Sequence, residues 1–189
     1  MINILRYNSS HKDDWNNFIS TCNNSTFLFN RNFMDYHNHI FNDFSLIFYK
    51  KNKIISVIPG NINDSTFYSH QGLTYGGFLF SDSINTETTL HIFEEFENFL
   101  KDFGIKKIIY KCIPSIYHSK QIDYDHYCLF RYDYNLTRRD LSFSLNLDFP
   151  IKMSRDRRYR TNKSKRNELK IIEGEDFTEF MQIDRKSVV

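Results

Sequence analysis

Hydrophobic residues recur every three or four positions in the segments that we predict to be helical. Trp15, Phe18 and Ile19 share one face of a helix that follows the cap-forming residues 8–10. The pattern is clearest over residues 86–103, and Gly104 marks the end of that helix. Its apolar stripe consists of Leu90, Phe93, Phe96, Phe99 and Leu100. We predict further helices at 30–39, 124–131, 153–169 and 176–183.

Short apolar runs predict the strands. They lie at 2–7, 45–49, 53–58, 66–70, 105–113 and 170–172, and residues 26–29 are predicted to be extended. The runs 45–49 and 53–58 form a hairpin, and 66–70 is expected on the same sheet. Residues 138–147 are predicted to form one more strand, because apolar and polar residues alternate from 140 to 147.

The order of these elements predicts an α/β (α+β) fold with a mixed central sheet flanked by helices. A short strand, an acidic cap and a helix with aromatic residues begin the chain, and the same order starts again near residue 170. We therefore predict a first domain over 1–150, a basic linker helix over 151–169, and the truncated start of a second, similar domain over 170–189.

Composition indicates a folded protein of the cytoplasm. Hydrophobic residues make up 40% of the 189 residues and aromatic residues 17%, enough for a core rich in Phe and Tyr. The three cysteines show no framework spacing, which is typical of reduced thiols in the cytoplasm. The first residues do not resemble a signal peptide, and no apolar run has the roughly 18–20 residues that a membrane span needs.

A loop with three glycines in six positions is the first candidate for chemistry. It runs from His70 to Phe78 and contains Tyr75, Gly76 and Gly77. Backbone N–H groups of such a loop could hold a phosphate or a sugar. No Lys-Ser/Thr follows, so this is not a Walker A loop. A tight connection with an aromatic anchor is the alternative interpretation.

Basic residues are concentrated in one short segment. Residues 152–170 hold nine Lys or Arg and two Asp or Glu. Attraction to phosphates is one interpretation, and a solvated linker helix is the other. The candidates for phosphate contact are Arg157, Arg158, Arg160, Lys163, Lys165 and Arg166.

The sequence contains no motif typical of a metal site or of a catalytic nucleophile. The seven histidines show no paired ligand spacing, so we expect no metal. No Ser or Cys lies in a recognisable nucleophile context, and the sequence identifies no catalytic base.

The segment 26–37, the hairpin ending at Pro59-Gly60, the stretch 69–80 and the basic segment together resemble the N-terminal GNAT-like domain of FemAB-type acyltransferases. The resemblance implies two such domains with the substrate between them. It also implies that the acceptor is bound near His37, His70, Tyr75, Gly76 and Gly77. Bridge-forming members carry Trp and Lys where this chain has Phe33 and His37, which favours a relative acting on polysaccharide.

The resemblance further implies transfer of an acetyl or aminoacyl group to an amine of a cell-envelope polysaccharide or peptidoglycan precursor. The donor would be acyl-CoA or aminoacyl-tRNA. The GNAT pyrophosphate loop is absent, so we expect the donor site outside this chain and the chain to be inactive alone. A hypothesis of another class is a non-catalytic module whose basic helix contacts nucleic acid, with tRNA as a candidate partner.

Overall fold

The computed structural model of the protein describes residues 1–120, 123–167, 173–174 and 176–186. The chain forms two compact units, Met1–Thr137 and Arg138–Val189. The division into domains predicted from the sequence stays a prediction. The predicted strand 170–172 lies outside the described residues.

The first sheet of unit one has four antiparallel strands in the order β1-β3-β4-β7. They are β1 (Asn3–Arg6), β3 (Leu46–Lys50), β4 (Lys53–Ile58) and β7 (Leu79–Phe80). The hairpin predicted from the sequence is confirmed as β3 and β4. Its side chains alternate between two hydrophobic clusters, because successive residues of a strand point to opposite faces.

The second sheet has the order β2-β5-β6-β8. Its strands are β2 (Asn42–Asp43), β5 (Asn61–Asn63), β6 (Thr66–Tyr68) and β8 (Lys107–Ile109), with β6 and β8 parallel. The α/β class is thus confirmed, but the placing of 66–70 on the hairpin's sheet was wrong. The chain leaves the first sheet at Pro59-Gly60, where a Cβ on Gly60 would lie 2.3 Å from the ring of Phe67.

Helices cover both faces of the first sheet. They are α1 (Lys12–Ser20), the short α2 (Arg31–Met34), α3 (Thr86–Asp102) and α4 (Tyr124–Arg131). The predicted stripe of α3 is confirmed, with Phe93 and Phe96 fully buried in one cluster. Trp15 and Ile19 of α1 lie in the other cluster, with Ile47 and Val57. Gly104 ends α3 with φ +74°.

Two predicted extended segments were wrong. Residues Phe27–Phe29 form a 3₁₀ turn that leads into α2. Residues 138–147 form no strand and are exposed throughout. An alternating segment becomes a strand only when a neighbouring strand accepts its hydrogen bonds, and no strand among the described residues pairs with this segment.

Unit two contains α5 (Arg155–Arg166) and α6 (Thr178–Lys186). Both predicted helices are therefore confirmed over most of their length. Ser154 caps α5 through its side chain, and every side chain of α5 is exposed. None of the helices in the described part of the chain is long and apolar enough to cross a membrane.

Candidate functional site

A cavity of about 240 Å³ opens where four segments of unit one meet. Tyr7 follows β1, Asp35 follows α2, Asp43 ends β2, and His70 lies two residues beyond β6. The cavity is lined by Tyr7, Asn8, Ser9, Met34, Asp35, Asn38, Phe41, Asp43 and His70. Residues distant in sequence therefore share one polar, partly aromatic wall.

Arg31 lies beside this cavity and is completely buried. Arg31 is the first residue of α2, which Asn30 caps. Its backbone N–H donates to the side chain of Asn16. The guanidinium carbon lies 3.4 Å from the ring centre of Tyr7 and 4.1 Å from that of Trp15. Cation–π attraction of this kind compensates in part for the lost hydration of the charge.

Two carboxylates share one nitrogen of Arg31. Its Nη1 atom donates to Oδ2 of Asp43 at 2.6 Å and lies 3.5 Å from Oδ1 of Asp35. The carboxylate side chains of Asp35 and Asp43 are 34% and 32% exposed. Because both residues line the cavity, it presents carboxylate oxygen to a ligand while the positive charge stays covered.

The position of Asp43 is fixed by further hydrogen bonds. Its Oδ1 accepts from the backbone N–H of Ser45 at 2.8 Å, and its carbonyl accepts from Arg6 at 2.6 Å. An anchored carboxylate loses little conformational entropy when it binds a ligand. Asp43 is therefore a preorganised acceptor of hydrogen bonds.

His70 forms the opposite part of the wall. It has φ +70° and is 4% exposed, and the ring of Phe41 packs against its imidazole at 5.3 Å between centres. Burial lowers the pKa of His70 to about 4; Asp43 opposes this shift, whereas Arg31 and Lys111 add to it. The imidazole is therefore neutral at pH 7.

Several polar atoms around the cavity are buried and have no hydrogen-bond partner among the described residues. They are Oη of Tyr7, Nε and Nη2 of Arg31, and Nδ1 of His70. Buried polar groups are nearly always paired in folded proteins. Such a concentration at one cavity marks it as the candidate site of this unit.

Of the residues predicted to bind substrate, His70 lies in the cavity wall. The backbone of His37 ends the 3₁₀ turn that starts at Asp35, one residue before Asn38 of the wall. Tyr75, Gly76 and Gly77 do not line this cavity. Tyr75 instead packs on Phe29 and Tyr117 and donates to the hydroxyl of Thr26.

Close packing explains the two glycines. A Cβ on Gly76 would lie 1.8 Å from the carbonyl oxygen of Ser69. Gly77 has φ +97°, and a Cβ there would lie 2.6 Å from the hydroxyl of Tyr110. Both positions exclude a side chain for reasons internal to the fold. A role in ligand binding for these residues stays a prediction.

Four site residues were not predicted from the sequence: Tyr7, Arg31, Asp35 and Asp43. Arg31 and Asp35 are four residues apart within the segment 26–37, a spacing that indicates an ion pair on a helix. That spacing was the one available signal. The bond from Arg31 to Asp43 joins α2 to β2 and depends on the tertiary fold.

The outer edge of β7 is closed by side chains. The Tyr110 hydroxyl accepts from the backbone N–H of Phe78 at 2.8 Å, and Asn24 bonds both the carbonyl of Phe78 and the N–H of Phe80. The loop to α3 is Ser81–Asn85, without glycine. Its Asp82 pairs with Lys120, and Asn85 caps the helix by accepting from the N–H of Thr88.

No protein-family model and no curated protein matches the chain. Solved structures do match. AAC(6')-Iy, in complex with the bisubstrate analog CoA-S-monomethyl-acetylneamine, is 10% identical over 77% of this chain and 99% of its own, with a TM-score of 0.50. The aminoglycoside 6'-N-acetyltransferase AAC(6')-Ig of Acinetobacter haemolyticus is 13% identical over 77% and 99%, with a TM-score of 0.46.

A GNAT family acetyltransferase of Staphylococcus aureus is 14% identical over 77% and 98% of the two chains, with a TM-score of 0.42. These structural neighbours are GNAT-family acetyltransferases, and the mixed α/β architecture of this chain matches the fold of AAC(6')-Iy. At such identities the likeness establishes the fold alone.

CoA is named with one of these neighbours, so its fit to this chain can be examined. A pyrophosphate needs free N–H donors, typically at a glycine-rich loop and helix N-terminus. The loop before α3 contains no glycine, and Asn85 already accepts from the N–H of Thr88. This helix start therefore lacks the glycine-rich loop of a typical pyrophosphate site.

Proposed function

We propose that this protein takes part in the transfer of an acyl group to an amine, and that the cavity beside Arg31 binds the amine of the acceptor. The fold of GNAT acetyltransferases supports the reaction class. The observation that carries the proposal is the pair of carboxylates, Asp35 and Asp43, at the cavity wall. Carboxylates form strong, charge-assisted hydrogen bonds with ammonium groups.

The carboxylates would position the amine for attack on the acyl carbon. The amine arrives as an ammonium ion and must lose a proton before its nitrogen attacks the carbonyl. The new bond forms between that nitrogen and the acyl carbon, the bond to the donor's leaving group breaks, and the leaving group takes up the second proton that the nitrogen loses. Orientation of the amine supplies much of the rate enhancement in such reactions. A water molecule or a carboxylate accepts the first proton.

The acceptor that we propose is a cell-envelope polysaccharide or peptidoglycan precursor, as in FemAB-like proteins. The resemblance of residues 26–37 and 69–80 supports this choice, because Asp35 and His70 of the cavity lie within those segments. Reduced thiols favour a reaction in the cytoplasm.

We place the acyl donor, acyl-CoA or aminoacyl-tRNA, on a second GNAT-like domain. The poor fit of the Ser81–Asn85 loop to a pyrophosphate supports this arrangement. The assay compares acetyl-CoA turnover and aminoacyl-tRNA consumption by this chain and by a version extended through a second domain. Amino-sugar nucleotides serve as acceptors. Robust turnover by the short chain alone would contradict the placement of the donor.

Amine binding is tested without the donor. We expect Asp35→Asn to weaken binding of ethylamine, measured by titration calorimetry, by roughly tenfold, since a charge-assisted hydrogen bond contributes about 1.5–3 kcal/mol. Asp82→Asn is the matched control, because Asp82 is an exposed carboxylate outside the cavity. Equal affinity in the two variants would exclude the carboxylates as the amine site.

A second candidate function rests on α5. Its basic side chains, including Arg157, Arg158, Arg160, Lys163, Lys165 and Arg166, are all exposed. We propose that they contact the phosphates of nucleic acid, with tRNA as one candidate. Binding to a generic oligonucleotide should then weaken steeply with salt. Replacing Lys163 and Arg166 by Glu should abolish this binding. Binding that does not weaken with salt would contradict the proposed contact with phosphates.

A further inference from the structure

We infer that His70 determines specificity by forming a hydrogen bond with a hydroxyl group of the acceptor, so that the acceptor carries a hydroxyl close to its amine. The inference rests on the proposed function, since it takes the cavity to be the amine site. The ligand would then need a hydroxyl group as well as an amine, and His70 would recognise the hydroxyl.

The first support is the unused hydrogen-bonding capacity of His70. Its side chain belongs to the cavity wall, and Nδ1 is buried without a partner among the described residues. The residue is 96% buried, and burying a polar atom without a partner is unfavourable. A ligand atom in the cavity would remove that penalty.

The second support is the fixed position of the imidazole. The backbone of His70 is left-handed, and Phe41 packs on the ring. The next residue, Gln71, is held by two hydrogen bonds of 2.7 Å with Asn61 of β5. The ring is therefore presented by an anchored backbone, as selective recognition of a ligand requires.

A hydroxyl suits this position better than the other common polar groups. It can donate to Nδ1 or accept from it, so it pairs with either tautomer of a neutral imidazole. An ammonium group is served instead by Asp35 and Asp43. A phosphate or carboxylate would meet those carboxylates, while the charge of Arg31 lies buried against the rings of Tyr7 and Trp15.

The test uses two probes that differ by one hydroxyl, ethanolamine and ethylamine. We expect the wild-type protein to bind ethanolamine roughly three- to tenfold more tightly in titration calorimetry, the range that one net hydrogen bond gives. His70→Phe keeps an aromatic ring and should bind the two amines equally. His70→Asn keeps a hydrogen-bonding group, tolerates positive φ and should retain part of the preference.

Each outcome is decisive. Equal affinity of the wild-type protein for both amines overturns the role of His70 and leaves the amine site intact. A preference that persists in His70→Phe, with the variant's thermal unfolding still cooperative, also overturns it. If neither amine binds, or if Asp35→Asn binds ethylamine as the wild type does, the proposed amine site fails and the inference fails with it.

Discussion

The Nη1 atom of Arg31 lies 2.6 Å from Oδ2 of Asp43, and the arginine side chain that makes this bond has no exposed surface. The pair joins α2 to β2 at the cavity. A buried ion pair is weak evidence of net stability, but removing one partner leaves the other charge uncompensated. The pair therefore links the stability of unit one to the carboxylates of the candidate site.

Asp43→Ala should destabilise the protein by about 3 kcal/mol, because the charge of Arg31 would stay buried with only the longer contact to Asp35. Urea unfolding at pH 7 measures the change in free energy. Asp82→Ala removes an exposed partner of Lys120 and should cost less than about 1 kcal/mol. Similar losses in the two variants would show that burial of Arg31 has no energetic consequence.

Phe96→Ala should cost about 3–5 kcal/mol, the usual range for removing a core phenylalanine. The ring centre of Phe96 lies 5.2 Å from that of Phe67 in β6 and 6.5 Å from that of Phe48 in β3, so α3 contacts both sheets. Thermal and urea unfolding measure the loss. Phe130→Ala, at a residue that is 77% exposed on α4, is the control. An unfolding curve for Phe96→Ala that matches wild type would remove α3 from the core.

Local patterns allowed the sequence to predict much of this fold. The helix α3 has a complete periodic pattern, and the hairpin β3–β4 consists of two apolar runs joined by a polar turn. The division into two sheets has no such local signal, because β6 pairs with β8, which follows α3 in the chain. The alternation within 138–147 satisfied a strand pattern, but pattern alone supplies no hydrogen-bonding neighbour.

A residue of the candidate site could be predicted from the sequence only where it lies in a segment with a recognisable motif. His70 belonged to a glycine-containing loop that the sequence marked, and it lies in the cavity wall. Arg31 and Asp43 become a pair only when α2 packs beside β2. The glycines of the same loop were predicted to contact a ligand. A glycine needed for packing and a glycine needed for close approach of a ligand cannot be distinguished in a sequence.

Gly77→Ala should destabilise the fold. The added Cβ would meet the hydroxyl of Tyr110 at 2.6 Å, and φ +97° disfavours any side chain. We expect a cost of at least about 1–2 kcal/mol from the backbone conformation, with the clash added to it. Thermal unfolding measures the loss. Gly104→Ala has the strained φ without the clash and should lose less.

The two glycine variants also separate packing from ligand binding. If Gly77→Ala unfolds like the wild type yet no longer binds an amine, the loop acts on the ligand as the sequence first indicated. If stability falls and the residual folded protein binds normally, Gly77 serves the packing of Tyr110. Circular dichroism and titration calorimetry on the same sample distinguish the two results.

Lowering the pH should destabilise the protein through His70. Burial lowers its pKa to about 4 in the folded state, whereas an unfolded chain has the ordinary histidine pKa near 6.5. The unfolded state thus binds the extra proton between those values, so stability falls as pH decreases from about 6.5 to about 4. Below pH 4 both states are protonated at this residue, and its contribution becomes constant.

The full effect is at most about 3 kcal/mol, since each unit of pKa corresponds to roughly 1.4 kcal/mol. Urea unfolding at pH 7, 6, 5 and 4 gives the dependence, and His70→Asn should remove most of its slope between pH 6.5 and 4. Any pH dependence that comes from other ionisable groups is retained in the variant. An identical slope in the wild type and His70→Asn would mean that the imidazole accepts its proton as readily in the folded protein as in the unfolded chain.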